Sequence, residues 1–254
     1  MTQSQTHSAT RVLPKKTLGK CQYLLFGLLL MLVGSPIGDK LFGAIDRPNY
    51  VLYATELFVI VGGLIALGDN RRHTILAIIA TLPTIATSAL ALTNDYVTTL
   101  HSGVSSLFFY GYLAVTLSRY ISRRDRVTLD TTYGIVVFYM VAALVFTALY
   151  CAIELFQQAA YDPAAHKPFE QHAFYMDPSR FNTSESLYGN LVYYSFVTQT
   201  TLGYGDITPT SELGKSVALI QATFGVFFIA IIVARFISEY RQEEEDPPGS
   251  DPRR

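Results

Sequence analysis

Charge is scarce in this sequence: Asp, Glu, Lys and Arg make up 15% of its 254 residues, against about a quarter in an ordinary soluble domain. A soluble domain of this length would struggle to cover its surface with so little polar material. Neither sign of charge prevails, since 19 Lys and Arg face 20 Asp and Glu. The basic surplus that nucleic-acid binding requires is missing, so no nucleic-acid partner is expected. Cysteine is nearly absent, and Cys21 and Cys151 both lie in apolar stretches, which excludes a disulfide framework and a zinc site. No segment recurs, so any symmetry must come from association of copies. What the chain does have is apolar: 50% of its residues are hydrophobic, with 16 Phe and 17 Tyr among them. That excludes disorder and points to a membrane protein with several spans.

A helix crosses the hydrocarbon core with about 20 apolar residues. Bounding the apolar runs by charged residues predicts six spans: Cys21–Gly38, Pro48–Gly68, His73–Asn94, Tyr96–Ser118, Thr131–Ile153 and Ser216–Ala234. The first is the weakest, because its continuous apolar run ends at Gly34-Ser35-Pro36. With both termini in the cytoplasm, only Lys40, Arg47, Lys167, Arg180 and Lys215 of the 19 basic residues fall outside, the bias that sets orientation in a cell membrane. The basic start also fits a cleavable leader; its length and Pro36 just past the small-residue site argue against that.

One stretch between the fifth and sixth spans carries the function. It reads Thr198-Gln-Thr200-Thr201-Leu202-Gly203-Tyr204-Gly205-Asp206, and through the pattern Thr-x-Thr-Thr-x-Gly-Tyr-Gly-Asp it resembles the potassium-channel family. The resemblance covers Thr131–Tyr240. An ion leaving water must have its hydration replaced, and rings of backbone carbonyls do this in such filters. Gly203 and Gly205 reach the backbone angles that this demands without a Cβ penalty. The resemblance implies K+ coordination by Thr201, Leu202, Gly203 and Tyr204, with Gly205 shaping the outer filter and Leu202 replacing the commoner Val. One filter strand per chain implies a homotetramer. The expected activity is passive K+ conduction with no organic cofactor and no enzymatic step.

The flanking residues receive roles from the same resemblance. Asn182 and Glu185 resemble the start of a pore helix that runs to about Thr198, with the negative end of its dipole toward the ion path. Tyr193 and Tyr194 match an aromatic pair that braces the filter, their hydroxyls expected toward Tyr204 of a neighbouring segment; Thr200 and Asp206 complete the support. Val197 stands where some members carry a Glu that partners the filter Asp, so Asp206 needs another partner. Gly225 falls at the family's hinge position, with close helix packing as the plainer reading of a glycine there. Val226, Ile229 and Val233 share a face with it as candidate cavity lining. Residues 239–254 read as an acidic, disordered tail with no room for a sensing domain.

Residues 21–122 read as a four-helix membrane domain, after a cytoplasmic segment over 1–20. Moving one charge through the membrane is worth ~2.3 kcal/mol per 100 mV, yet Tyr96–Ser118 contains no Lys or Arg, which argues against strong voltage gating. Arg119, Arg123, Arg124 and Arg126 fit contacts with lipid headgroups. Glu56 is a functional candidate as an intramembrane carboxylate, or a Glu solvated or paired with Tyr near the outer end. In the outer loop, His166 and His172 are candidate pH or metal sensors, with solvated loop residues as the plainer reading. Two rival functions are a non-conducting regulatory subunit and a component of a potassium uptake transporter. The single intact filter motif weighs against the second.

Overall fold

The computed structural model describes residues 20–42, 50–67, 71–91, 96–122, 129–161, 172–176 and 187–245. It contains α1 (Lys20–Phe42), α2 (Tyr50–Leu67), α3 (Arg71–Ala91), α4 (Tyr96–Ser122), α5 (Leu129–Ala160), β1 (Phe174–Met176), α6 (Leu187–Gln199), β2 (Ile207–Pro209) and α7 (Glu212–Glu245). The helices keep the predicted order but not the predicted limits. α1 continues through Pro36 to Phe42, past the predicted end at Gly38. α7 starts at Glu212 and runs to Glu245, beyond the apolar stretch that forecast it. Its start is capped: Ser211 Oγ accepts the Gly214 amide at 3.1 Å, which satisfies one of the free donors of the first turn. Glu, Arg and Gln propagate a helix well, and Pro247 disfavours helical geometry at the residue before it. The expected tail from 239 thus lies partly on this helix and otherwise outside the described residues, as does the segment before Lys20.

The all-helical expectation needs one amendment. β1 and β2 form an antiparallel pair in which Tyr175 faces Thr208. Alternating apolar patterning gave no warning of strands only three residues long.

α4 packs along α3 and α5, α1 along α2, and α1 also reaches α5. The core joins Leu24 and Leu28 of α1, Phe109, Tyr110 and Leu113 of α4, Leu144 and Tyr150 of α5, and Tyr188 and Leu191 of α6. α4 approaches closely because residue 103 is glycine: a Cβ there would stand 2.5 Å from Cys151 Sγ and 3.0 Å from the Tyr188 ring. That contact seats the start of α6 between α4 and α5.

Two helices are long and apolar enough to cross a membrane among the described residues, Leu129–Ala160 and the Glu212–Ser238 part of α7. They differ in surroundings, since 61% of the apolar window of α5 is buried and only 11% of that of α7. Leu219, Ile220, Phe227 and Ile231 of α7 are exposed in the single chain, and exposed apolar faces of this extent mark contact with lipid or protein. Shorter apolar stretches occupy Cys21–Gly34, Ala54–Leu64 and Ile75–Thr87.

Candidate functional site

The site is the turn between α6 and β2. As α6 ends, the chain folds back over it: the Thr200 amide donates to the Phe196 carbonyl, the Thr201 amide to Thr198, and the Leu202 amide to Val197 at 3.0 Å. The Thr200 hydroxyl also donates to the Phe196 carbonyl, at 2.7 Å. Helix-end carbonyls otherwise lack partners, so the first residues of the loop are consumed in capping α6. Beyond them, no backbone amide among the described residues donates to the carbonyls of residues 201–205.

The backbone angles of the loop alternate in sign. Thr201, Gly203 and Gly205 have φ of 61°, 55° and 79°, and no other non-glycine residue described has a positive φ. Alternating left- and right-handed residues gathers the amides on one side and leaves the carbonyls on the other. Two of the three left-handed positions are glycine, where this costs little. The third is Thr201, a β-branched residue for which positive φ is a true outlier, at about 1–3 kcal/mol. A row of carbonyls that no backbone amide engages is suited to ligating a bare cation. Leu202 and Tyr204 are exposed in the single chain.

Asp206 closes the loop. Its Oδ2 accepts the Tyr193 hydroxyl at 2.7 Å and its Oδ1 the Ile207 amide at 3.0 Å. Within the chain the Tyr193 hydroxyl thus goes to Asp206, while its ring lies parallel to that of Tyr204 at 6.5 Å. This hydroxyl is the partner that Val197 does not supply. Tyr194 is buried, edge-on to Tyr150 and Phe174 at 5.1 and 5.3 Å.

Beyond Asp206 the loop is tied to the end of α5. The Ala173 carbonyl accepts the Thr210 amide at 2.9 Å, and the Thr210 hydroxyl donates to the His172 carbonyl at 2.7 Å. Ala173 donates its own amide to Glu154 Oε2 at 2.7 Å, and His172 Nδ1 meets Glu154 Oε1 at 2.7 Å. The hydrogen bond to the Glu154 carboxylate raises the pKa of His172, partly offset by burial. His172 is an exposed loop residue that partners the buried Glu154 carboxylate; His166 lies outside the described residues. Sequence reasoning used Glu154 only as the boundary of a span.

At the inner end, Tyr139 and Gln199 exchange hydrogen bonds: the Tyr139 hydroxyl donates to the Gln199 carbonyl at 2.9 Å and Gln199 Nε2 to the Tyr139 carbonyl at 2.6 Å. α7 presses on the same spot through Gly225, where a Cβ would stand 2.1 Å from the Gln199 oxygen. Phe228 of α7 stacks on Tyr139 at 5.3 Å and Phe224 lies 6.1 Å from the Phe146 ring, so α7 meets α5 through Phe224 and Phe228 and α6 through Gly225. Val226, Ile229 and Val233 are exposed, outside that contact. In the N-terminal helices, Glu56 is buried with the Tyr110 hydroxyl 3.5 Å from its Oε1, the tyrosine-paired alternative.

Comparison with known proteins adds to this geometry. A family model described as an ion channel matches residues 169–242. The LctB protein of Bacillus caldotenax is 22% identical over 138 residues, which are 54% of this chain and 93% of that protein. The potassium voltage-gated channel protein shk-1 of Caenorhabditis elegans is 47% identical over 55 residues, 20% of this chain and 10% of its own. The probable potassium channel protein 2 of Methanocaldococcus jannaschii is 37% identical over 60 residues, 22% of this chain and 18% of its own. This chain thus spans less than about a fifth of the length of those two potassium-channel relatives. No solved structure matches it. The class is that of a membrane protein with an ion channel domain. Within that class, the matches support the potassium-channel family.

Two predictions follow from the anchoring contacts. Gly225→Ala should gain about 1 kcal/mol of helix propensity and lose about 1–3 kcal/mol to overpacking, because a backbone oxygen has no rotamer to escape into. A lowered thermal midpoint in detergent is expected; a raised one refutes the contact. The His172–Glu154 bond, with the histidine pKa raised, is complete below the ordinary value of about 6.5 and weakens as pH rises through the folded value. In an NMR titration, Glu154→Gln should move the His172 transition to lower pH, and an unmoved transition refutes the pair.

Proposed function

We propose that four copies of this chain form a potassium-selective channel in which the carbonyls of Thr201, Leu202, Gly203 and Tyr204 ligate K+ and Gly205 shapes the outer filter. The observation that carries the proposal is the alternating φ over Thr201–Gly205, held between a capped helix end and a strand, in a row of carbonyls without backbone partners. Tyr193, Tyr194, Thr200 and Asp206 support that loop. Four chains are required because each brings one strand to a common axis, and the bare apolar face of α7 fits burial against neighbouring copies and lipid.

In this reading α1 to α5 and α7 all cross the cell membrane, α6 enters and leaves from the outside, and both termini are cytoplasmic. Residues 21–122 form a peripheral four-helix domain and 131–238 the pore. Val226, Ile229 and Val233 line the inner cavity, and an apolar constriction of this kind closes by dewetting. Gly225 serves as the hinge of α7 or, as its contact with Gln199 suggests, as the seat of the pore helix. The lack of Lys and Arg over Tyr96–Ser118 supports conduction without strong voltage dependence.

Purified protein in liposomes should carry a K+ gradient-driven flux that a Na+ gradient does not match; equal permeability to the two ions overturns the selectivity. In the same preparation, Tyr193→Phe keeps the ring stacked on Tyr204 and removes only the bond to Asp206. Losing about 1 kcal/mol of support, roughly fivefold, should shorten conducting bursts in single-channel records. Unchanged bursts would show that Asp206 is held by its other contacts.

A further inference from the structure

The charge-free stretch Ser216–Ala234 of α7 holds one fully buried amide, Gln221, which is 0% exposed. An amide in an apolar helix is costly unless its donors and acceptor are all used, and here they are. Gln221 Nε2 donates to the Ser195 hydroxyl at 2.7 Å, to the Ser195 carbonyl at 3.0 Å and to Gln199 Oε1 at 3.2 Å. Its Oε1 accepts the Tyr150 hydroxyl at 2.6 Å. Ser195 in turn donates to the Ala143 carbonyl at 2.7 Å. One side chain of α7 is thus bonded to two successive turns of α6, and Tyr150 of α5 fixes it from behind. Gln199 is the last residue of α6, two positions before Thr201.

We infer that Gln221 is a positioning residue for the ion path: with Tyr150 it sets where the C-terminal turn of α6 stands, and through it the register of the carbonyls that begin at Thr201. The inference rests on the channel reading. The route is short and continuous. Gln221 holds Gln199 and Ser195, the end of α6 accepts the amides of Thr200, Thr201 and Leu202, and those residues open into the alternating backbone. Polar side chains also serve simply to join helices in membranes. That role would stabilise the assembly and leave permeation alone, so permeation is the readout that separates the two.

The test is single-channel recording of the full chain in planar bilayers, with the K+/Na+ permeability ratio taken from reversal potentials. Gln221→Leu, Tyr150→Phe and Phe108→Leu are compared, the last on an exposed part of α4. Gln221→Leu should change the permeability ratio or the burst length by about fivefold, the ratio carried by one net hydrogen bond. Tyr150→Phe should act in the same direction, and Phe108→Leu should match the unmodified chain. Gln221→Leu and Tyr150→Phe channels with unmodified ratio and bursts overturn the inference, even if their detergent stability falls. If Gln221→Leu does not assemble, Tyr150→Phe decides by the same criterion. An unmodified chain that passes no K+ current overturns the channel reading, and is told apart because it fails before any substitution is made.

Discussion

A backbone run whose carbonyls receive no backbone amide cannot hold its shape by its own hydrogen bonds. Residues 201–205 form neither helix nor ladder, and at Thr201 the chain accepts an angle that its own side chain opposes. Such a segment has no intrinsic preference for its shape, so the shape has to be imposed from its two ends. At the inner end the imposing element is α6, whose last carbonyls bind the amides of Thr200, Thr201 and Leu202. At the outer end it is Asp206, fixed by Tyr193 and by the amide that opens β2. The strain is tolerated because both flanks are over-determined, the usual condition for an outlier of this kind.

Both flanks lead back to one helix. Tyr139, Ala143, Tyr150 and Glu154 of α5 fall within roughly 60° of one another around an axis with 3.6 residues per turn. Tyr139 holds the carbonyl of Gln199, Ala143 accepts the Ser195 hydroxyl, Tyr150 fixes Gln221, and Glu154 receives β1. A single stripe along α5 therefore meets α6 at both its depth and its end, α7 at its middle, and the strand beyond the loop. α5 is the most buried of the long apolar helices for the same reason: it has the site on one side and α1 and α4 on the other. The short β1–β2 ladder belongs to this logic too, because without it the outer end of the loop would be joined to α5 only through residues far away in sequence.

What could be read from the amino acids was whatever is repeated along the chain or confined to a few adjacent positions. Six apolar runs gave six long helices in the right order, and the nonamer at Thr198–Asp206 located the loop, its left-handed glycines and the helix before it. What could not be read was made by side chains that meet across long sequence separations. Glu154 and His172 belong to different elements, as do Gln221, Ser195 and Tyr150, and no local pattern joins them. The bond from the Tyr193 hydroxyl to Asp206 was not foreseen, because only the turn of the loop brings the two within reach. Helix ends were misjudged because charge was used as the boundary, whereas α7 carries its charged residues Glu212 and Lys215 inside its first turn, where a cap and an i,i+3 pair accommodate them.

The polar support of the loop has an uneven distribution. On one face of α6, Val197 is buried and apolar, and the Tyr193 hydroxyl is the side-chain donor that reaches Asp206. On the opposite side, Ser195, Gln199 and Gln221 form a closed set in which each donor has an acceptor. A carboxyl placed at 197 would bring a second acid near Asp206, and two such groups share a proton or repel; a phenol donates without that competition. Removing charge from behind the loop leaves its position to neutral hydrogen bonds. These are individually weak but directional, and in a low-dielectric interior they are costly to leave unmade. The consequence is a site whose geometry depends on the packing of three helices around uncharged amides and hydroxyls, with titratable groups confined to its outer rim at Asp206, Glu154 and His172.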